Sequence, residues 1–176
     1  DSKDEARSAA THFEETGDVD REDLTSQFIF TIDPPDARDF DDAINITYDQ
    51  DKKEWELGVH IADVASFVSV GSALDKGAIE RGNSVYLPRK VIPMLPEVLS
   101  NGVCSLQEGV RRWAKSVFIR FDDKGRVLGH RLQNTVICSA KRLTYLEAQA
   151  LIDGNEKEAR KNTVAGGTYS EELIAT

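Results

Sequence analysis

Cysteine is scarce, positive charge is in deficit, and no long hydrophobic run occurs in these 176 residues. The two cysteines, Cys104 and Cys138, lie in separate apolar segments with neither a CxxC spacing nor a nearby histidine pattern. That argues against a zinc site and against a disulfide framework, and the pair read as buried free thiols in a reducing cytoplasm. No stretch approaches the roughly 18 to 20 consecutive apolar residues of a membrane-spanning helix, and no signal peptide precedes the first polar residues, so a soluble, cytoplasmic protein is expected. Lys and Arg total 22 against 31 Asp and Glu, a formal net charge of -9, which on its face disfavours a polyphosphate partner. The distribution qualifies this. Residues 1–24 hold nine acids against three bases, whereas residues 78–120 hold seven bases (Arg81, Arg89, Lys90, Arg111, Arg112, Lys115, Arg120) against three acids. The middle of the chain is locally basic, although most such runs are solvated faces.

What the chain does have is acid in one place. Residues 33–42, Asp-Pro-Pro-Asp-Ala-Arg-Asp-Phe-Asp-Asp, put five carboxylates in a short loop between two apolar runs. Two unit charges about 4 Å apart at an effective dielectric near 20 repel by roughly 4 kcal/mol, so converging carboxylates need a counter-charge. The single Arg38 cannot neutralise five. Oxygen-only donors suit a hard divalent ion, magnesium, manganese or calcium, rather than zinc.

The length fits one domain or a piece of one. Three segments are expected: an acidic lead-in over 1–24, a folded unit over 25–153, and a polar tail with the start of a truncated helix over 154–176. The lead-in has helix-compatible spacing up to Glu15 but little apolar content, and 14–23 reads as exposed linker. Aromatic and β-branched residues at 27–32, the alternation at 43–48 and the apolar odd positions of 55–61 predict three strands framing the acidic loop. Ser72 followed by Asp75 predicts a helix over 72–81, and a short, proline-disturbed helix is read at 93–100. A strand at 114–121, a hairpin turn at 122–125 and a long strand over 126–137 follow, then a helix at 145–152 stopped by Gly154. These elements make an α+β fold with a mixed, largely antiparallel sheet flanked by helices.

Asp33 closes one strand while Asp39, Asp41 and Asp42 lead into the next, so the four are expected to converge at one edge of the sheet. Adjacent Asp41 and Asp42 point in different directions and can serve different metals, or one metal and a water. Two metal ions about 3.5 to 4 Å apart can activate water, hold a scissile phosphate and stabilise the leaving oxygen, so phosphoryl chemistry is the reaction class. An EF-hand is disfavoured, since its loop needs a central glycine and a terminal glutamate.

Thr31-Ile-Asp-Pro-Pro-Asp-Ala-Arg-Asp-Phe-Asp-Asp-Ala43 resembles the signature of the catalytic domain shared by ribonuclease II and ribonuclease R, the RNB family of exoribonucleases. Arg21-Glu-Asp-Leu24, Gly58-Val-His-Ile-Ala-Asp-Val64, Tyr86-Leu-Pro88, Ile92-Pro-Met-Leu-Pro-Glu97 and Ser139-Ala-Lys-Arg-Leu-Thr-Tyr145 resemble that domain in the same order. Within the family, the segments most resemble the bacterial ribonuclease R branch. The resemblance implies a magnesium-dependent hydrolase, with manganese a possible substitute, that degrades single-stranded RNA from the 3′ end to nucleoside 5′-monophosphates. It places the family's active-site aspartates on Asp33, Asp39, Asp41 and Asp42. Asp41 is the one whose neutralisation should hurt most, with Asp33 and Asp42 the first choices for direct ligands. Asp36 falls at a variable position and is assigned a loop-shaping or solvated role. Tyr86 falls where the family stacks a side chain on a base, and Tyr145 where it sets a tyrosine near the scissile end. Stacking worth roughly 1 to 3 kcal/mol per base suits a sequence-tolerant degrader, while half-buried packing is the commoner fate of tyrosine.

Other residues compete with plainer explanations. His60 alternates with apolar neighbours, which favours a satisfied structural histidine over a general base. Asp63 extends the acidic site or caps a turn. Arg111, Arg112 and Lys115 line an RNA path or form an exposed basic face, and Trp55 and Trp113 are packing residues. The resemblance covers the N-terminal half of the family's domain. The second half, with its phosphate-clamping arginine, and the cold-shock and S1 modules fall outside these residues. The 176 residues alone are therefore expected to hold metal weakly and to show little or no nuclease activity. The alternative is a non-catalytic RNA-binding or regulatory module, which the presence of all four aspartates disfavours, and a calcium-stabilised structural domain is a third.

Overall fold

The computed structural model describes residues 1–16, 20–88, 90–166 and 168–175. The middle of the predicted acidic linker, the basic residue Arg89 and the last residue of the terminal segment lie outside these. In chain order, α1 (Ser2–Thr16) precedes the short β1 (Glu22–Asp23) and β2 (Ile29–Asp33). A hairpin of β3 (Asp42–Asp49) and β4 (Glu54–Ala62) follows, then α2 (Ala73–Arg81) and a separate ribbon of β5 (Val85–Leu87) and β6 (Lys90–Ile92). Next, β7 (Arg111–Asp122) turns into β8 (Val127–Thr144), which runs directly into α3 (Tyr145–Ile152), α4 (Glu156–Asn162) and α5 (Glu171–Ala175).

The main sheet closes on itself. β2 pairs with β3, β3 with β4, β4 with β7 and β7 with β8, all antiparallel, and β8 returns to β2 in parallel. Five strands cannot alternate direction all the way round a ring, so one neighbouring pair must be parallel. The 18 residues of β8 make closure possible, residues 127–138 pairing with β7 and 139–144 with β2. The expected strand at 126–137 is thus extended to Thr144, and the architecture is α+β with a mixed, largely antiparallel sheet and flanking helices.

A polar chain crosses the buried side of the ring. His60 is fully buried, with Nε2 3.0 Å from Asn45 Oδ1 and Nδ1 2.7 Å from Ser116 Oγ, and Ser116 Oγ lies 2.7 Å from Thr135 Oγ1. Because Asn45 Nδ2 already donates to Gln27 Oε1, the neutral imidazole fits as a donor to Asn45 and an acceptor from the Ser116 hydroxyl. Gly58 makes room for this, since a Cβ there would stand 2.0 Å from Asn45 Oδ1.

Two apolar clusters cover the ring. In one, Ala6, Ala9 and Phe13 of α1 pack on the core, with the Phe13 ring edge-on to Trp113 at 4.8 Å. The lead-in is therefore helical and contributes to the core: three small or aromatic residues on one helical face suffice where the mean composition is polar. Ser72 caps α2 by accepting from Asp75 N, as its spacing predicted. In the other cluster, Phe30 and Leu143 meet Ala148 and Ala150 of α3, Ala159 of α4, Tyr169 and Leu173. The tail expected to be merely polar packs here, through Ala159 and the Tyr169 hydroxyl donating to Glu147 Oε1 at 2.8 Å. Near 93–100 the expected short helix is a tight turn opening into a wide π-type turn at Leu99–Val103, broken by non-helical dihedrals at Gly102. No helix among the described residues is long and apolar enough to cross a membrane.

Candidate active site

Loop 33–42 bridges β2 and β3 at one end of the ring. Two successive prolines deprive it of two N–H donors, so side chains and scattered backbone bonds rather than a continuous ladder hold it. Arg142 of β8 faces three of its carbonyls: Nη2 lies 2.9 Å from Pro35 O and 3.3 Å from both Pro34 O and Ala37 O. The same guanidinium sits 4.7 Å from the buried Phe40 ring. The second half of the loop is fixed to Ser105, whose hydroxyl donates to Arg38 O at 2.9 Å and accepts from Phe40 N at 3.1 Å. Leu106 N donates to Phe40 O and Ala62 N to Asp41 O, each at 2.9 Å.

Asp33, Asp39 and Asp41 line one cavity of about 770 Å³. Asp36, Arg38, Tyr86 and Lys90 share its wall. Asp42 does not line it: this residue opens β3 opposite Ile61, exposed on the flank, where its charge still raises the pKa of Asp33 and Asp41. Asp33 is buried, and its Oδ2 has no hydrogen-bond partner. Its carboxyl is pushed up first by burial and then by Asp42 and Asp41, with the Thr31 hydroxyl and Arg142 opposing. Asp41 is open to solvent, yet it too is raised, by the groups packed round it and by Asp39 and Asp42.

A buried orphan oxygen, an all-oxygen donor set and carboxyls driven upward by their neighbours fit a hard divalent cation. Among the described residues, however, no three acids, histidines or cysteines stand together as a finished ligand set. Three of the four expected aspartates share the cavity and the fourth flanks it. Asp36, expected to be solvated, is exposed on the cavity wall.

The two tyrosines part company. Tyr86 is 67% exposed and its hydroxyl donates to Asp39 Oδ2 at 3.1 Å, which ties the β5–β6 ribbon to the acidic loop. Tyr145 is 60% exposed at the start of α3 and is not among the residues lining the cavity. It follows Thr144, the cross-strand neighbour of Asp33, so it stands at the same end of the sheet.

The remaining candidates are placed elsewhere. His60 belongs to the polar chain of the ring, and burial lowers its pKa to about 4. Asp63 pairs with Arg21 at 2.7 Å and accepts from the Ser66 hydroxyl at 2.7 Å, and it is not among the residues lining the cavity. Arg112 donates to Ser105 O and Gly102 O, so it braces the turn that carries Ser105 rather than lying open along an RNA path. Lys115 donates to Asn134 Oδ1, and Arg111 stands 4.0 Å from Asp23. Trp113 packs in the core, while the Trp55 ring lies tilted against Tyr48 with centroids 4.6 Å apart and the residue is 41% exposed. Cys104 is buried, and Cys138 only half-buried; both are free. Sequence reasoning missed Ser105 and Arg142. Arg142 lies inside the Ser139–Tyr145 motif, and that was the available signal.

The RNB domain family model matches residues 21–174. A ribonuclease R of Chlamydia trachomatis is 45% identical over 144 residues, 82% of this chain and 21% of the relative. A DIS3-like exonuclease 2 of Schizosaccharomyces pombe is 45% identical over 157 residues, 89% of this chain and 17% of the relative. In structure, Mycoplasma genitalium RNase R in complex with ribose-methylated single-stranded RNA matches with a TM-score of 0.80 at 32% identity, over 98% of this chain and 26% of that one. The chain spans about a fifth of the length of these curated relatives.

Proposed function

The chain belongs to the RNB domain family, and from that premise we propose that it carries the acidic part of the catalytic site of a hydrolytic 3′-to-5′ exoribonuclease. The substrate is single-stranded RNA and the products are nucleoside 5′-monophosphates. The carrying observation is the cavity shared by Asp33, Asp39 and Asp41, with the orphan oxygen of Asp33 and the Tyr86 hydroxyl on Asp39.

Asp33, Asp39 and Asp41 would hold the cation, Mg²⁺ or in its place Mn²⁺, with Asp42 adding negative charge from the flank. Such an ion supplies charge neutralisation at the scissile phosphate and a nucleophile at neutral pH. The residues of the chain do the rest. Asp33, dry and repelled by its neighbours, is primed to accept positive charge. Ser105 and Ala62 fix the backbone of residues 38–41 and so orient Asp39 and Asp41 toward the cavity. The exposed ring of Tyr86 offers a stacking face beside the carboxylates, and Tyr145 a second aromatic at the same end of the sheet. Lys90 and Arg38 supply positive charge on a wall whose other charged groups are acidic.

The assay uses a protein of its relatives' full length carrying this segment, a 5′-labelled single-stranded RNA, Mg²⁺ and an Asp41→Asn control. Progressive shortening from the 3′ end with release of 5′-monophosphates is expected, with the control slowed by orders of magnitude. Internal cleavage fragments, or an undiminished control, would overturn the proposal. RNA retention without turnover in the unsubstituted protein would favour the non-catalytic binding module.

A further inference from the structure

We propose that Arg142 is a positioning residue for the acidic loop, holding its proline-rich first half so that Asp33, Asp39 and Asp41 face one cavity. This rests on the reading of loop 33–42 as a cation-holding site.

Pro34 and Pro35 have no N–H to donate, so this stretch cannot be fixed by strand pairing. Within it Ala37 N donates to Pro34 O at 3.1 Å, and Nη2 of Arg142 reaches three of its carbonyls, those of Pro34, Pro35 and Ala37, within 3.3 Å. The guanidinium is itself immobilised. The Phe40 ring centroid lies 4.7 Å from it, and the backbone N–H of Arg142 donates to Glu108 Oε2 at 2.8 Å, while Nε is buried without a hydrogen-bond partner. Its Cα is paired with Thr31 in the β2–β8 ladder, two residues before the Asp33–Thr144 pair. One side chain therefore connects the sheet to the proline-containing half of the loop. The guanidinium plane matters: a lysine ammonium has donors enough for the carbonyls, but it cannot also set a planar group against the Phe40 ring. Arg142 also puts a positive charge near Asp33 without ion-pairing to it, which leaves the carboxylates free for a cation.

The test compares the unsubstituted 176-residue chain with Arg142→Ala, Arg142→Gln and Arg142→Lys, and with Arg126→Ala in the distant turn as control. Amide exchange is read without metal, and Mn²⁺ affinity by electron paramagnetic resonance. In Arg142→Ala and Arg142→Gln the amides of Ala37 and Phe40 should exchange about tenfold faster or more, while those of β7 and β8 keep their protection. Mn²⁺ should bind about tenfold more weakly, Arg142→Lys should fall between, and Arg126→Ala should match the unsubstituted chain. Unchanged loop exchange would overturn the proposal. So would equal loosening of loop and strands, which marks a merely structural role, or a loosened loop with undiminished Mn²⁺ affinity. If Arg142→Ala fails to fold, the Gln and Lys variants decide by the same criteria. If the unsubstituted chain and a protein of its relatives' full length carrying this segment both show no Mn²⁺ binding, with loop exchange still governed by Arg142, the cation reading is overturned and the positioning role stands.

Discussion

Lowering the pH from 7 to 5 should destabilise this fold through His60 more than through any exposed group. His60 has no exposed surface, and both ring nitrogens are engaged, by Asn45 and Ser116. A second proton would add a charge in a place that only the neutral ring satisfies, and burial lowers its pKa from 6.5 to about 4. The unfolded chain takes up that proton near pH 6.5, whereas the folded chain refuses it until about pH 4. Throughout that window the unfolded state binds more protons, so stability is lost as the pH falls. At pH 5 the loss from this one group comes to about 2 kcal/mol, and it levels off at about 3 kcal/mol below pH 4. Asp63 contributes in the same direction at lower pH. Burial would raise its pKa, but the Ser66 hydroxyl and the Arg21 guanidinium together hold it down.

The measurement is urea unfolding at several pH values for the unsubstituted chain and for His60→Gln. The variant is less stable at every pH because the polar chain is broken, so the readout is the difference in slope between pH 6.5 and 4. The chain has three histidines, so the ring signals can be followed singly by NMR. A His60 ring that titrates near 6.5 in the folded protein, or parallel slopes for the two proteins, would refute the reasoning.

Asp63→Ala strands Arg21, whose side chain is 8% exposed and lies over Trp113, and should cost about 3 to 5 kcal/mol in chemical denaturation; a loss under about 1 kcal/mol would deny that the pair is buried in solution. Asp33→Asn should raise the melting temperature of the metal-free chain, because it removes a buried carboxylate repelled by Asp42 and Asp41, while weakening Mn²⁺ binding. A lowered melting temperature would show that repulsion is not what Asp33 experiences. Tyr86→Ala should weaken binding of a single-stranded RNA by about 1 to 3 kcal/mol in fluorescence anisotropy, and Tyr86→Phe, which keeps the ring and loses only the bond to Asp39, should retain most of the affinity. Equal losses in the two variants would assign the effect to the hydroxyl instead of stacking.

The parts of this molecule that could be read from the sequence are those whose physics is local. Five carboxylates in ten residues announce an electrostatic problem without reference to any other part of the chain. Ser72 with Asp75, and the Asp122–Gly125 turn, announce a helix start and a hairpin through contacts spanning three or four residues. Ring closure has no such signature. It depends on β8 offering one stretch to β7 and the next to β2, and alternation within a strand says nothing about which partner it meets. The same holds for α1 and the tail, which are polar on average and join the core through a few residues such as Ala6, Phe13, Ala159 and Tyr169. The candidate site divides along this line as well. Its carboxylates come from contiguous residues, whereas the groups that hold them in place are distant in sequence: Ser105 is 65 residues from Phe40, and Arg142 is 105 to 108 residues from the carbonyls it faces. A contiguous motif can therefore specify what the site binds, but the precision with which it binds is set by the closure of the ring.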